Sequence, residues 1–472
     1  MHLVDFVRCK RALSGLLALS LVGCAATAPP GSGVPVVAVP STWSAAGGLA
    51  ALSGDSTLAA TSLAQWWERF NDPQLSALVA QALQANTTVR SAQAALQQAR
   101  AQTDVQSAGL LPSVGASASV QRARSGGASA GNSFQAGFDA SWEPDIFGGQ
   151  RNALRASVAD SRAAEANLAQ VQVSLAAEVA ANYIALRGLQ LRLDIARSNL
   201  ASQQETLQIS QWRLQAGLVT SLVTEQARAA TAQTAAQIPA LQASLAQSRH
   251  ALAVLTGQPP AALDAALLDA RPVPQPADDL ALAFPADTLR QRPDVRVAQE
   301  RVAAALARVA QADAARYPDF RLSGSLGLRA LTVGALTSGG AVAQSLLASV
   351  SGSLFDGGAA RAQVRVQEAG AEQARLDYEA TVLTALTDVE DALVALRGER
   401  ERLVQLRIAA EAARNAALLA QNRYTSGLID FQAVLETQRT QLATQDSVAS
   451  TLTNLSTHHV RLYKALGGGW SP

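Results

Sequence analysis

The stretch QNRYTSGLIDFQAVLETQ, residues 421–438, decides the fold because it sets a single glycine inside sequence that otherwise favours helix. A weaker echo, QWRLQAGLVTSLVTEQA, occupies residues 211–227. Glycine readily adopts the left-handed conformation that ends many helices. The matched glycines, Gly217 and Gly427, therefore predict two helical hairpins with their turns at these positions.

The rest of the chain repeats with similar spacing, which indicates one unit written twice. The segment that begins at Gly148 corresponds to the segment that begins at Gly357, and the segment that ends at Gly257 corresponds to the one that ends at Gly468. Between the copies lies a Pro-rich connector that cannot form one continuous helix. The predicted boundaries are 73–257 for the first repeat, 258–284 for the connector, 285–468 for the second repeat and 469–472 for a C-terminal tail.

Composition and spacing predict long helices. Hydrophobic residues make up 49% of the chain and charged residues 16%, and alanine, the best helix former, supplies much of the hydrophobic share. Nothing stops the helical pattern from 149 to 213, and a leucine falls at every seventh position, which indicates a supercoiled seam: Leu186, Leu193, Leu200, Leu207 and Leu214. This helix and its counterpart at 358–424 would each span about 100 Å. The segments 73–108 and 221–255 would span roughly half that length each, so two of them end to end match one long helix.

Four short segments change to a period of two, which is typical of transmembrane β-strands. They are residues 113–121, 134–142, 320–328 and 346–354, in two matched hairpins within 113–142 and 320–354. The side chains expected to face lipid are Val114, Phe134, Phe138, Trp142, Leu326 and Val350. Four strands cannot close a barrel, and an open sheet edge cannot sit in lipid. The pattern therefore predicts an oligomer, and three copies would give a twelve-stranded barrel with room for a lumen.

The beginning of the chain has the features of a bacterial lipoprotein signal. Residues 1–23 combine a positive region with a short apolar run and end in Leu21-Val22-Gly23, directly before Cys24. We expect cleavage before Cys24, lipidation of Cys24, and a lipidated N-terminal segment over residues 24–72. Ala25 follows where an aspartate would be the usual signal for retention in the inner membrane, so the expected location is the outer membrane. The formal charge of +1 gives no basic excess that would point to nucleic acid.

Several stretches resemble the TolC-like outer-membrane factor family, the outer-membrane lipoproteins of tripartite efflux systems (often called the NodT family). They are WWERFNDPQLSALVAQALQAN from Trp66, PADTLRQRPDVRVAQERVAAALARV from Pro285, RYPDFRLSGSLG from Arg316, NRYTSGL from Asn422 and LYKALGGGW from Leu462. The resemblance implies a mainly α protein with transmembrane β-strands. Long, internally duplicated helical hairpins would form a trimeric α-barrel, and four strands per protomer would contribute to a twelve-stranded β-barrel. It also implies a passive exit duct in the bacterial outer membrane that extends into the periplasm. The implied partners are a periplasmic adaptor, an inner-membrane transporter that is often proton-driven, and outer-membrane lipid.

The resemblance assigns roles to residues at the two turns. Adaptor contact falls by position on Arg213, Leu214, Gly217, Leu218 and Val219, and on Arg423, Tyr424, Gly427, Leu428 and Ile429. Relatives close the tube near these turns, which assigns a periplasmic gate to Tyr424, Asp430 and Glu436. Two alternatives remain at this point. The turn residues could serve only to build the turns, and Asp430 could be a solvated acid favoured by a helix N-terminus.

Common motifs of metal sites and nucleotide-binding enzymes are missing from the sequence. It contains no His-x-x-x-His pair, P-loop or G-x-G-x-x-G motif. We therefore expect no catalytic residue, metal or cofactor apart from the lipid on Cys24, and Asp388, Glu390 and Asp391 are expected to form a solvated face or ion pairs. Two other functions stay open: the outer-membrane duct of a type I protein-secretion system, and a non-conducting periplasmic coiled-coil scaffold.

Overall fold

The structure, a computed structural model, describes residues 63–124, 126, 130–276, 289 and 291–469. Along these residues the order of helices and strands repeats, with one more α-helix at the start of the first repeat than of the second. The signal segment 1–23 and Cys24 lie outside these residues, as do most of the segment 24–72 and Trp470–Pro472 of the tail. The first repeat contains α1 (Pro73–Ala85), α2 (Thr87–Ala108), β1 (Ser113–Ala123), β2 (Gly131–Trp142), α3 (Gly149–Gln215) and α4 (Ser221–Leu255). The second contains α5 (Pro293–Ala314), β3 (Asp319–Ala330), β4 (Val342–Ser351), α6 (Ala359–Thr425) and α7 (Phe431–Ala465).

The two long helices confirm the duplication and correct its register. Helices α3 and α6 each contain 67 residues, about 100 Å at the α-helical rise. Each follows a glycine in the left-handed conformation, Gly148 (φ 84°) and Gly358 (φ 89°). The matching turns after α4 and α7 lie at Gly257 (φ 73°) and Gly467 (φ 78°). The predicted pairings of Gly148 with Gly357 and of Gly257 with Gly468 were thus wrong by one residue each. The structurally equivalent glycines are those at the helix ends, Gly358 and Gly467.

The predicted single segment 73–108 is two helices. Asn86 separates α1 from α2 in extended backbone, and its side-chain oxygen accepts a hydrogen bond from the Thr88 N–H at 2.8 Å. Its Nδ2 donates to the Leu255 carbonyl at 2.9 Å, at the C-terminal end of α4. Asparagine caps an orphan N–H at a helix start, so the break stabilises α2 while tying it to α4.

The strands form one antiparallel sheet in the order β1-β2-β3-β4. Strand β4 begins four residues before the predicted segment 346–354 and ends three residues before its end, so Leu354 is not in the strand. The pairing of β2 with β3 joins the two hairpins into one sheet, and Trp142 lies opposite Leu322 in this pairing. Neither β1 nor β4 has a second neighbour within the described residues, so each leaves one edge unpaired.

Helix α3 lies at the centre of the helical part of the protomer. It packs against α2 and α4 of its own repeat and against α5 and α7 of the other repeat. Leu186 and Leu193 of the predicted seam are buried, Leu200 and Leu207 are half-buried, and Leu214 is exposed at the end. At Gly188 the helices approach so closely that a methyl group would overlap the Thr453 side chain of α7.

A buried arginine ties the connector to the start of the first repeat. The Arg187 guanidinium is fully buried and donates to the Asp269 carbonyl at 2.7 Å and to Gln74 Oε1 at 2.5 Å. It also contacts Tyr183, whose hydroxyl donates to Asp72 Oδ2 at 2.7 Å. Burial and the hydrogen bond to Asp72 raise the pKa of Tyr183 to about 12.

None of the described helices is both long enough and apolar enough to cross a lipid bilayer.

Candidate functional site

The first helical tip, residues 213–220, is a tight turn built by one glycine. Helix α3 ends at Gln215, and Gly217 follows with φ 71°. The Gly217 N–H donates to the Leu214 carbonyl at 2.9 Å, and the Leu218 N–H donates to the Arg213 carbonyl at 2.8 Å. These two bonds define a Schellman motif, which satisfies carbonyls that the helix end leaves free. A residue with a side chain would be strained at Gly217, because L-residues rarely adopt a positive φ.

The second tip, residues 423–430, repeats this geometry. Gly427 has φ 74°, its N–H donates to the Tyr424 carbonyl at 2.9 Å, and the Leu428 N–H donates to the Arg423 carbonyl at 2.9 Å. Helix α7 then begins with Asp430 as its N-cap, whose Oδ1 accepts from the Ala433 N–H at 3.0 Å. The turn-building role of the glycines and the capping alternative for Asp430 are therefore both observed.

The tips also present apolar side chains to the surroundings. Leu218 is 71% exposed and Leu428 is 73% exposed, and each follows a glycine at which an added methyl group would meet no neighbouring atom within 4 Å. Arg423 is exposed, and Val219 and Ile429 are half-buried. A turn needs no bare leucine at its apex, so these side chains are available to a binding partner.

Arg213 connects the two tips within one protomer. Its guanidinium carbon lies 4.4 Å from the centre of the Tyr424 ring, and its Nη2 donates to the Thr425 carbonyl at 3.1 Å. A cation over an aromatic face at this distance is attractive. The sequence identified both residues separately but gave no indication of this contact, because they are more than 200 positions apart.

The three predicted gate residues differ in their exposure. Tyr424 is buried in an apolar cluster with Phe431 and Val434, and the Tyr424 and Phe431 ring centres are 5.6 Å apart. Its hydroxyl is buried and has no hydrogen-bond partner among the described residues. Asp430 and Glu436, in contrast, are exposed. The Tyr424 side chain therefore faces the protomer's own core, and only the two acids are accessible from outside the protomer.

Polar side chains join helices α3 and α7 above the tips, a feature that sequence reasoning missed. Arg192 Nε and Nη2 bind the two Asp446 carboxylate oxygens at 2.6 and 3.1 Å. Two further pairs lie nearer the tips: Asn199 Nδ2 donates to Gln445 Oε1 at 2.8 Å, and Gln438 Nε2 donates to Thr206 Oγ1 at 3.0 Å. Polar residues inside the leucine-repeat helix, such as Asn199 and Thr206, were the sequence signal that could have indicated this interface.

At the other end of the protomer, the six predicted lipid-facing side chains lie on one face of the sheet. The register pairs Val114 with Ala140, Phe138 with Ala116 and with Leu326, and Phe320 with Val350. Apart from Leu347, residues on the opposite face are small or polar, as in the contact of Ser117 Oγ with Asp139 Oδ2 at 2.8 Å. A sheet with one apolar and one polar face fits a wall between lipid and water. Lipid contact itself stays a prediction.

Charged groups meet where the N-terminus of α5 approaches the end of α7. The Arg292 guanidinium binds Asp294 at 2.7 Å and Asp388 at 3.0 Å, so Asp388 of the acidic cluster is in an ion pair. Burial disfavours the charge on Arg292, but the hydrogen bonds and charges of Asp294 and Asp388 prevail and raise its pKa. Nearby, burial and the Arg461 charge lower the pKa of His458. Across the described ranges, no three His, Cys, Asp or Glu side chains are placed to hold a metal ion.

The known proteins that the chain resembles include outer-membrane efflux proteins and channels. The sequence profile of the outer membrane efflux protein family matches residues 78–258 and 284–468. The chain is 33% identical over 480 residues to the pyoverdine export outer membrane protein OpmQ of Pseudomonas aeruginosa, with 97% of each chain covered. It is 31% identical over 407 residues to nodulation protein T of Rhizobium leguminosarum bv. viciae, with 86% of this chain and 84% of the relative covered.

Solved structures give the same result. The outer-membrane channel OprN is 37% identical and superimposes with a TM-score of 0.85 over 93% of this chain and 100% of the OprN chain. The outer membrane protein VceC of Vibrio cholerae is 26% identical, with a TM-score of 0.81 over 86% of this chain and 99% of VceC. The predicted resemblance and the fold class are thereby confirmed. The chain belongs to the outer membrane efflux protein family.

Proposed function

We propose that three copies of the chain form the outer-membrane exit duct of a tripartite efflux pump. The observation that carries this proposal is the four-stranded sheet, which has one apolar face, one polar face and two unpaired edges. Unpaired backbone groups at an edge cannot be satisfied in lipid. Closing three such sheets edge to edge gives twelve strands, enough for a barrel with an open lumen.

The helices support the same assembly. Helix α3 is covered by the other repeat through α5 and α7. Among the described elements, in contrast, α6 packs extensively only against α5 and α7 of its own repeat. Its remaining surface carries large apolar side chains that are more than half exposed: Val366, Leu376, Leu383, Val394, Val404, Ile408, Leu418 and Leu419. By the correspondence of the two repeats, this surface of α6 should receive α2 and α4 of the next copy. A closed ring of three protomers satisfies every such surface.

The duct is passive and conducts substrates without reacting with them. Substrates enter at the helical tips, pass between the helices and leave through the barrel, while an inner-membrane transporter, which we propose to be proton-driven, supplies the energy. A periplasmic adaptor joins the two proteins by binding the tips, where Leu218 and Leu428 supply exposed apolar contact. We assign the chain no catalytic residue and no cofactor other than the lipid.

The gate of the duct is assigned to the exposed acids near the second tip. Three copies each of Asp430 and Glu436 around a narrow axis would favour cations and would repel one another. Tyr424 contributes indirectly, because its ring packs between α6 and α7 and contacts the Arg213 guanidinium.

Anchoring is assigned to the lipid on Cys24, which reinforces the barrel's hold in the outer membrane. The substrates are proposed to be small molecules rather than proteins, and the support for this is that the relative OpmQ is named for pyoverdine export.

Reconstitution in planar bilayers tests the proposed function. The purified protein should form channels whose cation preference falls in Asp430→Ala and Glu436→Ala. The matched control, Glu411→Ala, removes an exposed acid from α6 well away from the tip and should leave selectivity unchanged. A protein that inserts but does not conduct, with or without these substitutions, would contradict an exit duct and favour the scaffold.

A further inference from the structure

Two junctions connect the sheet to the long helices, and both carry an aliphatic and an aromatic residue. The first, which we call junction 1, contains Ile146 and Phe147 between β2 and α3. Junction 2 contains Leu354 and Phe355 between β4 and α6. The two junctions differ sharply in their surroundings.

At junction 1 the aromatic side chain is partly covered by the other repeat, and Phe147 is 39% exposed. Phe147 stacks on Tyr317, with ring centres 4.7 Å apart and planes inclined by 18°. The contact continues the pairing of β2 with β3 beyond the sheet. Trp142 lies opposite Leu322. Phe147 follows Trp142 by five residues, and Tyr317 precedes Leu322 by five residues.

At junction 2 the same kind of pair has no cover within the described part of the protomer. Phe355 is 92% exposed and Leu354 is fully exposed. The backbone here is held firmly, because Asp356 accepts hydrogen bonds from the N–H groups of Gly358 and Ala360, both at 2.8 Å. Two large apolar side chains on a fixed turn form a surface that a partner would cover.

The strand order identifies that partner. When β1 of a second copy continues the antiparallel order beyond β4, the residues that follow Ser351 come beside the residues that precede Ser113 of the second copy. Those preceding residues include Leu111, which is 67% exposed and occupies the position in the first repeat that Tyr317 occupies in the second. Junction 1 thus provides, within one chain, the template for a contact between chains.

From this geometry we infer that Leu354 and Phe355 dock on Leu111 of the neighbouring copy and form the subunit contact at the base of the barrel. The inference rests on the proposed trimer and adds the residues that join the protomers there. It also explains why junction 2 has an aromatic residue that the described residues of its own chain leave exposed.

Pairs of cysteines test the contact directly. In membranes treated with a short bis-maleimide, the double variant Leu111→Cys/Phe355→Cys should produce covalent dimers and trimers on a denaturing gel. The matched pair, Phe147→Cys/Tyr317→Cys, should cross-link within one chain and migrate as a monomer. Each single variant should give no multimer.

The outcomes separate this inference from the proposed function. If the untreated protein has the mass of a trimer and the template pair reacts, but Leu111→Cys/Phe355→Cys yields no multimer, the contact is wrong while the trimer stands. That result would assign junction 2 to the bilayer surface instead. If the untreated protein is monomeric, the proposed assembly fails and the contact fails with it.

Discussion

Removing the Tyr424 hydroxyl by Tyr424→Phe distinguishes a gate residue from a core residue. The ring is buried against Phe431 and lies under the Arg213 guanidinium. The hydroxyl is buried without a hydrogen-bond partner among the described residues. Since water and neighbouring copies cannot reach a buried atom without rearrangement, the hydroxyl cannot form the bond that a gate tyrosine would need.

The expected magnitude follows from this placement. A buried, unsatisfied polar group costs about 1–3 kcal/mol, and Tyr424→Phe removes that cost while keeping the ring contacts. Tyr424→Ala instead deletes a buried aromatic ring, which typically costs about 3–5 kcal/mol. We therefore expect the phenylalanine variant to be as stable as the parent or more stable, and the alanine variant to loosen the tip.

Hydrogen exchange of the tip amides and channel conductance measure these effects together. In Tyr424→Phe, amides near Tyr424 and Phe431 should exchange at the parent rate or more slowly, and the leak conductance should not rise. Tyr183→Phe is the matched control, because the Tyr183 hydroxyl has partners, Asp72 at 2.7 Å and Arg187 at 3.0 Å. Its loss should cost about 1–3 kcal/mol. Faster exchange or a higher leak in Tyr424→Phe would refute the core assignment and restore Tyr424 to the gate.

Three further perturbations have defined outcomes. Gly427→Pro should abolish export without dissociating the trimer, because proline cannot adopt φ 74° and has no N–H to donate to the Tyr424 carbonyl. Gly427→Asn should retain export, because asparagine tolerates this conformation. Equal export from both variants would remove the tip assignment. Phe138→Arg should block outer-membrane assembly, at a cost of about 2–4 kcal/mol near the bilayer midplane, while Gln135→Arg on the polar face should assemble; normal assembly of Phe138→Arg would count against lipid contact. Because the pKa of His458 is lowered in the folded protein, the unfolded chain binds the His458 proton first as the pH falls below about 6.5, and stability should drop from pH 7 to pH 5. In thermal unfolding, His458→Gln should reduce that drop. An identical drop in both proteins would show that other groups cause it.

Local sequence signals predicted the features that depend on local chemistry. Glycines at Gly217 and Gly427 fixed the tips, because a positive φ after a helix is a backbone requirement that few other residues meet. Alternation of apolar and polar residues placed Val114, Phe138 and Val350 on one face, since the side-chain period of a strand is two.

Features that depend on long-range packing were not predictable in this way. The contact of Arg213 with Tyr424 and the ion pair of Arg192 with Asp446 join residues more than 200 positions apart. The burial of Tyr424 follows from the approach of α4 and α7, which no single-helix pattern specifies. The break at Asn86 was missed for another reason: an asparagine alone does not show whether it lies inside a helix or caps one, and the bond from the Thr88 N–H identifies it as a cap.

The mass of the detergent-solubilised mature protein, measured by native mass spectrometry or light scattering, tests the central claim most directly. Both unpaired sheet edges and the open surface of α6 require neighbouring copies, and a conducting barrel requires three. A mass of three protomers is the predicted result. A monomer with the same fold would contradict the account, because four strands alone cannot enclose a channel through the outer membrane.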